Sequence, residues 1–266
     1  MYSDIISSVK NPFVKHIKKL LTSGKYRREK SLAVAEGVHL CQSLLRAEIV
    51  PNTVVYSESG LKNAEVSELQ PRLDQPGVSV LTLKDSLFES ISDIHATVGV
   101  LVVFDPHPAD EVLLLASRSL FLENIQDPGN LGTILRTAAA AGVRSVRLSS
   151  GSASAWSPKA LRAGMGAQFG LDIAEDVDLA ELIRATTLPV LATDLAATNS
   201  IYDADLSGES IWLFGNEGQG VSPKLLALCT QRVTIPQADS TVESLNVSAA
   251  VAVCLFEQRR QKAAHQ

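Results

Sequence analysis

Three stretches of the chain gather side chains able to hold a ligand and act on it, and each follows an apolar run. In ENIQDPGNLGTILRTAAAAG (123–142), Pro128 and Gly129 turn the chain, and Asn130 is placed to cap an alanine-rich helix. Arg136 follows six residues later on that helix, and a guanidinium there suits a phosphate or a developing oxyanion. In LFGNEGQGVSP (213–223), Gly215, Gly218 and Gly220 surround Asn216 and Glu217, so the backbone can approach a ligand closely. In IPQADSTVESLNVSAAVAV (235–253) a strand ends at Ile235-Pro236. Ser244 is then expected to cap a long helix, with Asn246 in its first turn. Taken singly, each stretch reads as a capped helix or an ordinary turn.

The elements that carry these loops alternate in type. Residues 119–125, 145–150, 170–175, 189–195, 210–217 and 232–236 read as strands. Helical patterns at about 130–141, 157–167, 178–186, 222–230 and 244–262 separate or follow them. This alternation predicts a mostly parallel sheet covered on both faces, with ligands at the carboxyl ends of its strands. Upstream, Phe13, Val14, Ile17, Leu20 and Leu21 recur at helical spacing beneath a lysine-rich face. Strands at 32–37, 53–57, 78–83 and 98–104 and a helix at 38–48 complete a first α/β unit. The Pro- and Asp-rich DPHPADE (105–111) divides the chain into residues 1–106, a linker at 107–117, and residues 118–266. No G-x-G-x-x-G or P-loop pattern follows any strand, which removes the usual support for a dinucleotide or nucleoside triphosphate.

A net charge of −5 over 266 residues argues at first against a nucleic-acid partner, but the charge is uneven. Residues 1–30 carry +6, from Lys10, Lys15, Lys18, Lys19, Lys25, Arg27, Arg28 and Lys30 against two acids. Residues 128–171 carry +5, from Arg136, Arg144, Arg147, Lys159 and Arg162, with no acid. Two basic segments, one in each expected domain, thus stand within an acidic average. Deleting residues 1–30 is expected to weaken any nucleic-acid binding and flatten its salt dependence. The three cysteines form no paired framework, and no leader or membrane span is visible, so the chain reads as soluble and cytoplasmic. The five histidines have no metal-ligand spacing. Of the two tryptophans, Trp156 in a polar loop is the better candidate to stack on a base, and Trp212 reads as core.

N-L-G-x-x-x-R-T-A (130–138), G-N-E-G-x-G (215–220) and I-P…S-L-N-V-S (235–248) resemble, in this order, the three motifs of the SpoU (TrmH-type) RNA ribose 2′-O-methyltransferases of the SPOUT superfamily. SPKALRAGMGAQF (157–169) is similar to the segment that family carries between them. KNPFVKHIKKL (10–20) and AVAEGVHL (33–40) are similar to its ribosomal-protein-like substrate-binding domain. The resemblance implies an α/β fold in which a C-terminal parallel-sheet domain holds a deep trefoil knot, beside a smaller N-terminal α/β domain. It implies S-adenosylmethionine as cofactor, no metal, no membrane, and a homodimer formed through the knotted domain.

Carried over by position, the cofactor residues are Thr193, Asp194, Leu195, Leu213, Phe214, Gly215, Asn216, Gly218, Ile235, Pro236, Leu245, Asn246 and Ala249. The catalytic set is Arg136, Asn130, Glu217, Ser244 and Asn246. Glu217 is expected to orient an arginine or support the dimer. RNA contacts are expected from Lys10, Lys15, Lys18, Lys19, Arg27, Arg28, Arg144, Lys159 and Arg162. The family often assigns the 2′-hydroxyl proton to the arginine, but a guanidinium is effectively always protonated. Arg136 is therefore expected to bind the adjacent phosphate and stabilise the forming alkoxide. Ribosomal RNA is the expected substrate, with transfer RNA or a silent knotted RNA-binding protein as alternatives. The chain departs from the family in having one residue more between Ile235 and Leu245, and in Gly164 where a serine is common.

Overall fold

A computed structural model describes residues 5–92, 94, 98–106, 119–238 and 244–264. The expected linker at 107–117 lies outside them, as do residues 239–243 of the longer loop between Ile235 and Leu245. The chain divides into two compact units, Met1–His107 with Trp156–Phe169, and Pro108–Ala155 with Gly170–Gln266.

The first unit opens with α1 (Pro12–Thr22), started by Pro12 and by the Asn11 side chain, which accepts from the Phe13 N–H. Val14, Ile17, Leu20 and Leu21 are buried at the helical period, whereas Phe13 is 52% exposed and lies off that stripe. α2 (Gly24–Lys30) follows after the Ser23 cap. Then come β1 (Ala33–Glu36), α3 (Val38–Arg46), β2 (Thr53–Ser57), α4 (Ala64–Leu73), β3 (Ser79–Leu83), α5 (Asp85–Ile91) and β4 (Val100–Phe104). Periodicity did not announce α2, α4 or α5, which are short or, in α4, interrupted by Pro71. The sheet runs β1-β4-β2-β3, antiparallel except for β2 with β3. Every residue of β4 is buried. Val100, Val102 and Phe104 enter one core with α3 and α4, and Leu101 and Val103 enter the other with α1 and α5.

The second unit contains β5 (Ser119–Leu122), α6 (Pro128–Ala141) and β6 (Ser145–Ser149). α6 is capped by Asp127, whose carboxylate accepts from the Asn130 N–H at 2.8 Å, so Asn130 sits inside the first turn and is not the cap. Gly142, at φ +89°, ends it in the left-handed conformation. Residues 156–169, with α7 (Pro158–Gly164), group with the first unit, where Leu161 joins the α3–α4 core and Trp156 and Phe169 meet Phe104 edge-on. Trp156 is thus held as a packing residue. A Cβ at Gly164 would stand 2.5 Å from Oε1 of the buried Gln168, so any larger residue there requires the Gln168 side chain to shift.

β7 (Asp172–Val177), α8 (Leu179–Ala185), β8 (Val190–Thr193), β9 (Ile211–Phe214), α9 (Pro223–Leu226), β10 (Gln231–Val233) and α10 (Val247–Ala264) complete this unit. Its six strands are all parallel, in the order β10-β8-β9-β5-β6-β7. Trp212 is core, as its strand position implies, and its indole N–H donates to Gln258 Oε1 at 2.9 Å. Arg147 is fully buried and paired with Asp172, its guanidinium also donating to the Val146 and Asp172 carbonyls. It therefore adds nothing to the surface charge of residues 128–171.

Candidate active site

The carboxyl ends of β8, β9 and β10 open onto a cavity of about 300 Å³, where a parallel sheet is expected to bind its ligand. Thr193, Asp194 and Leu195 come from the end of β8, Phe214 to Val221 from the loop after β9, and Val233, Thr234, Ile235 and Gln237 from the end of β10. Ser244, Leu245, Val247 and Ala250 close it from the start of α10, and Leu226 from α9.

The glycine loop is a tight hairpin, in which Asn216 and Gly220 exchange backbone hydrogen bonds at 3.0 and 2.9 Å. A Cβ on Gly215 would fall 2.1 Å from the Gly220 carbonyl, so only glycine lets the two arms meet. Asn216 locks the turn. Its Oδ1 accepts from the N–H of Gly218 and Gln219, and its Nδ2 donates to the Asn124 carbonyl at 2.9 Å.

Of the expected cofactor residues, Thr193, Asp194, Leu195, Phe214, Gly215, Asn216, Gly218, Ile235 and Leu245 line this cavity. Leu213, Pro236, Asn246 and Ala249 do not. Leu213 is buried in β9, and Ala249 lies on the exposed side of α10, because Val247 and Ala250, three residues apart, take the inner face. Gln219, Gly220, Val221, Leu226, Val233, Thr234 and Ala250 also line it and were not among the expected cofactor residues. The apolar or strand-end character of Val221, Leu226, Val233 and Thr234 is indistinguishable in sequence from that of core residues.

Glu217, itself part of the lining, joins the cavity to Asn130. Its carboxylate accepts from the backbone N–H of Gln126 and Asp127 and from Nδ2 of Asn130, each at 3.2 Å. Burial alone pushes this carboxyl up. Its own backbone N–H, the Asn130 amide and the N–H groups of 126 and 127 outweigh that and hold it below its ordinary value. Glu217 is therefore a fixed anion that orients the Asn130 amide, and among the described residues no arginine pairs with it. Asn246, not Ser244, caps α10. Its Oδ1 accepts from the Ser248 N–H at 2.9 Å, and its Nδ2 donates to Asn130 Oδ1 at 3.0 Å. Ser244 lines the cavity.

Arg136 lies about 9 Å along the α6 axis from Asn130. It is exposed, and among the described residues it makes no hydrogen bond or ion pair. Of the expected RNA contacts, Lys10, Lys15, Lys18, Lys19, Arg28, Arg144 and Lys159 are exposed. Arg27 and Arg162 are half-buried, and Arg27 donates to the Leu20 carbonyl at 2.7 Å, closing the end of α1. Lys159 and Arg162 group with the first unit. In the second unit Arg136 and Arg144 are what remains exposed of the basic stretch.

Among the described residues the cavity lining includes the acids Asp194 and Glu217 and no lysine or arginine, and Arg232 of β10 pairs with Asp194 at 3.6 Å from outside that lining. Such a site fits a cationic cofactor and disfavours a polyphosphate. The amino group and sulfonium of S-adenosylmethionine would meet that demand, and Leu195, Leu226, Ile235 and Leu245 supply apolar surface of the kind an adenine would need. No group of three or more metal-ligating side chains occurs among the described residues, and no helix among them is long and apolar enough to cross a membrane.

Comparison with known proteins bears on the same site. Residues 117–256 match the SpoU rRNA Methylase family, and residues 11–102 the MRM3-like substrate binding domain. An uncharacterized tRNA/rRNA methyltransferase of Synechocystis is 35% identical, over 98% of this chain and 96% of that one. The 23S rRNA guanosine 2′-O-methyltransferase RlmP of Bacillus subtilis is 30% identical, over 96% of this chain and 98% of its own. The AdoMet-bound crystal structure of an rRNA methyltransferase from Sinorhizobium meliloti superposes with a TM-score of 0.84 at 30% identity, covering 96% of this chain and 97% of that one. Fold and site together are those of an S-adenosylmethionine-dependent methyltransferase. The chain belongs to the SpoU rRNA methylase family.

Proposed function

We propose that this protein methylates a ribose 2′-hydroxyl of ribosomal RNA, with residues 118–266 as the methyltransferase domain and residues 1–106 as the RNA-binding domain. The observation that carries this reading is the acid-lined cavity at the sheet edge, tied through Glu217 to Asn130 and, on the same helix, to Arg136. Bound there, S-adenosylmethionine supplies an activated methyl group on a sulfonium that becomes neutral on transfer. The residues of the chain do the rest. Asp194 and Glu217 favour the positive cofactor, and the glycine loop excludes water from one side of it. Arg136, with no partner of its own among the described residues, binds the phosphate next to the target ribose and stabilises the oxygen as its proton passes to solvent water, which this exposed side chain admits. Asn130 aligns the hydroxyl.

The exposed lysines of α1 and α2 support an RNA grip in the first unit, with Lys19 Nζ 5.4 Å from the centre of the Tyr26 ring. Phe256 on α10, 47% exposed, supports a dimer through the second unit, and sedimentation of Phe256→Glu as a monomer is the expected result. The pairing of residues 199–201 with Thr234, and the packing of α10 on α6, support the family's knot. Three unpaired cysteines suit the cytoplasm, where the ribosomal substrate is made.

The deciding experiment is to map 2′-O-methyl sites in RNA from cells with and without the gene and to repeat the reaction with purified protein, labelled S-adenosylmethionine and each RNA. A site lost from ribosomal RNA and restored in vitro is expected. Label entering transfer RNA alone would replace the substrate, and no label in any RNA would overturn the reading.

A further inference from the structure

We propose that Ser248 and the backbone N–H groups of Gln126 and Asp127 are positioning groups that give the chain of hydrogen bonds through Asn246, Asn130 and Glu217 a single sense, so that Asn130 meets the target ribose with its amide in one orientation. This rests on the reading above, that the site acts on a ribose hydroxyl.

The two ends of the chain are chemically unambiguous. At one end the N–H and hydroxyl of Ser248 both donate to Asn246 Oδ1, which turns the Asn246 NH2 toward Asn130. At the other end Glu217 accepts from Gln126, Asp127 and Asn130. A backbone N–H only donates and an ionised carboxylate only accepts. The two amides between them must therefore run Asn246 Nδ2 to Asn130 Oδ1, and Asn130 Nδ2 to Glu217 Oε1. Turning either amide over sets donor against donor or acceptor against acceptor.

The sense matters to the reaction. After accepting from Asn246, Asn130 Oδ1 keeps one lone pair. A 2′-hydroxyl donating its proton into that lone pair has its own lone pairs directed elsewhere, free for attack. A reversed amide would offer an N–H instead, engaging one of the oxygen's two lone pairs and drawing electron density away from attack. Glu217, with its oxygens engaged by three N–H donors, orients and takes no proton.

A plain capping role for Asn246 makes a different prediction. Asp caps a helix as well as Asn does, and its charge favours the helix start. Asn246→Asp would keep both bonds from Ser248 but turn a carboxylate oxygen onto Asn130 Oδ1. The proposal expects an unchanged or raised Tm, a KM for S-adenosylmethionine within about threefold, and a kcat at pH 8 lowered about 100-fold or more. Relative to wild type, kcat should recover about tenfold toward pH 5, where the protonated new carboxyl again donates to Asn130. Glu217, the charged member of the chain, is held below its ordinary value and stays ionised there. Ser248→Ala should lower kcat several-fold at every pH, and Ser248→Thr should restore it. Full kcat in Asn246→Asp at pH 8, or an equal loss at every pH, would overturn the proposal.

A second readout needs no turnover. In the full-length protein labelled with ¹⁵N, the side-chain amide of Asn130 should shift on Asn246→Asp at pH 8 and move back toward pH 5. No response of that amide would also overturn the proposal. A response in a protein that methylates no RNA would leave the chain standing and remove the methyltransferase reading.

Discussion

Arg136 stands exposed on α6 while Asn130, Glu217 and Asn246 each have a fixed partner, and this contrast defines the chemistry at the scale of single side chains. A guanidinium held in reserve is an anion receptor. Arg136→Ala is expected to lower kcat at least about 100-fold while the Kd for S-adenosylmethionine, read by calorimetry, changes less than about threefold. Glu217 shows the opposite design, a carboxylate saturated by N–H donors. Its folded pKa lies below its unfolded one, so it stabilises the fold above the ordinary value of 4.5, and that contribution is lost as the pH falls through the folded value. The Tm difference between wild type and Glu217→Gln should accordingly be largest near neutrality and shrink in acid. A difference that grew in acid would reverse the assigned role.

At the scale of elements, the site is a set of strand ends bridged by one hairpin. The hairpin closes because Gly215 has no side chain, its missing Cβ lying where the Gly220 carbonyl already is. Gly215→Ala should leave the far-ultraviolet circular dichroism unchanged and weaken S-adenosylmethionine binding about 30-fold or more, since the loop that walls the cavity must open. Retained affinity would show that the wall is dispensable. The start of α10 works in the same way, its Asn246 cap serving at once as helix terminus and as a member of the hydrogen-bond chain through Asn130. Capping residues were legible in sequence as a type, but which of Ser244 and Asn246 caps α10, and that Asp127 rather than Asn130 caps α6, depended on where the turns fall.

For the whole molecule, charge distribution separates the roles. The cavity of the second unit is acidic and α1 of the first is basic, so the net charge of −5 describes neither. Deleting residues 1–30 would also remove Val14, Ile17, Leu20 and Leu21 from a core shared with Leu83 and Phe88, and would test stability instead of RNA affinity. Replacing Lys15, Lys18 and Lys19 together by Gln leaves that core intact. The slope of log K against log salt for RNA should then fall by about 2, at about 0.7 per phosphate contact. An unchanged slope would make this helix a solvated face. Residues 156–169 count with the first unit through Leu161, Trp156 and Phe169, so an expressed fragment ending at 106 lacks part of its own core.

Sequence alone determined the alternation of elements, the strand ends that face the ligand, and the residues of the three loops. Hydrophobic period and turn chemistry are local, and the motifs carry their identity in residue type and spacing. Only the tertiary structure decided the partners. That Arg147 is a buried ion pair and not a surface cation depends on Asp172, 25 positions away on the adjacent strand. That Trp156 packs on Phe104 instead of awaiting a base depends on which unit claims residues 156–169. That Glu217 orients Asn130 depends on loops 87 residues apart meeting at one sheet edge. Pairing of polar groups across such distances is set by the order of strands in the sheet, and no local pattern encodes that order.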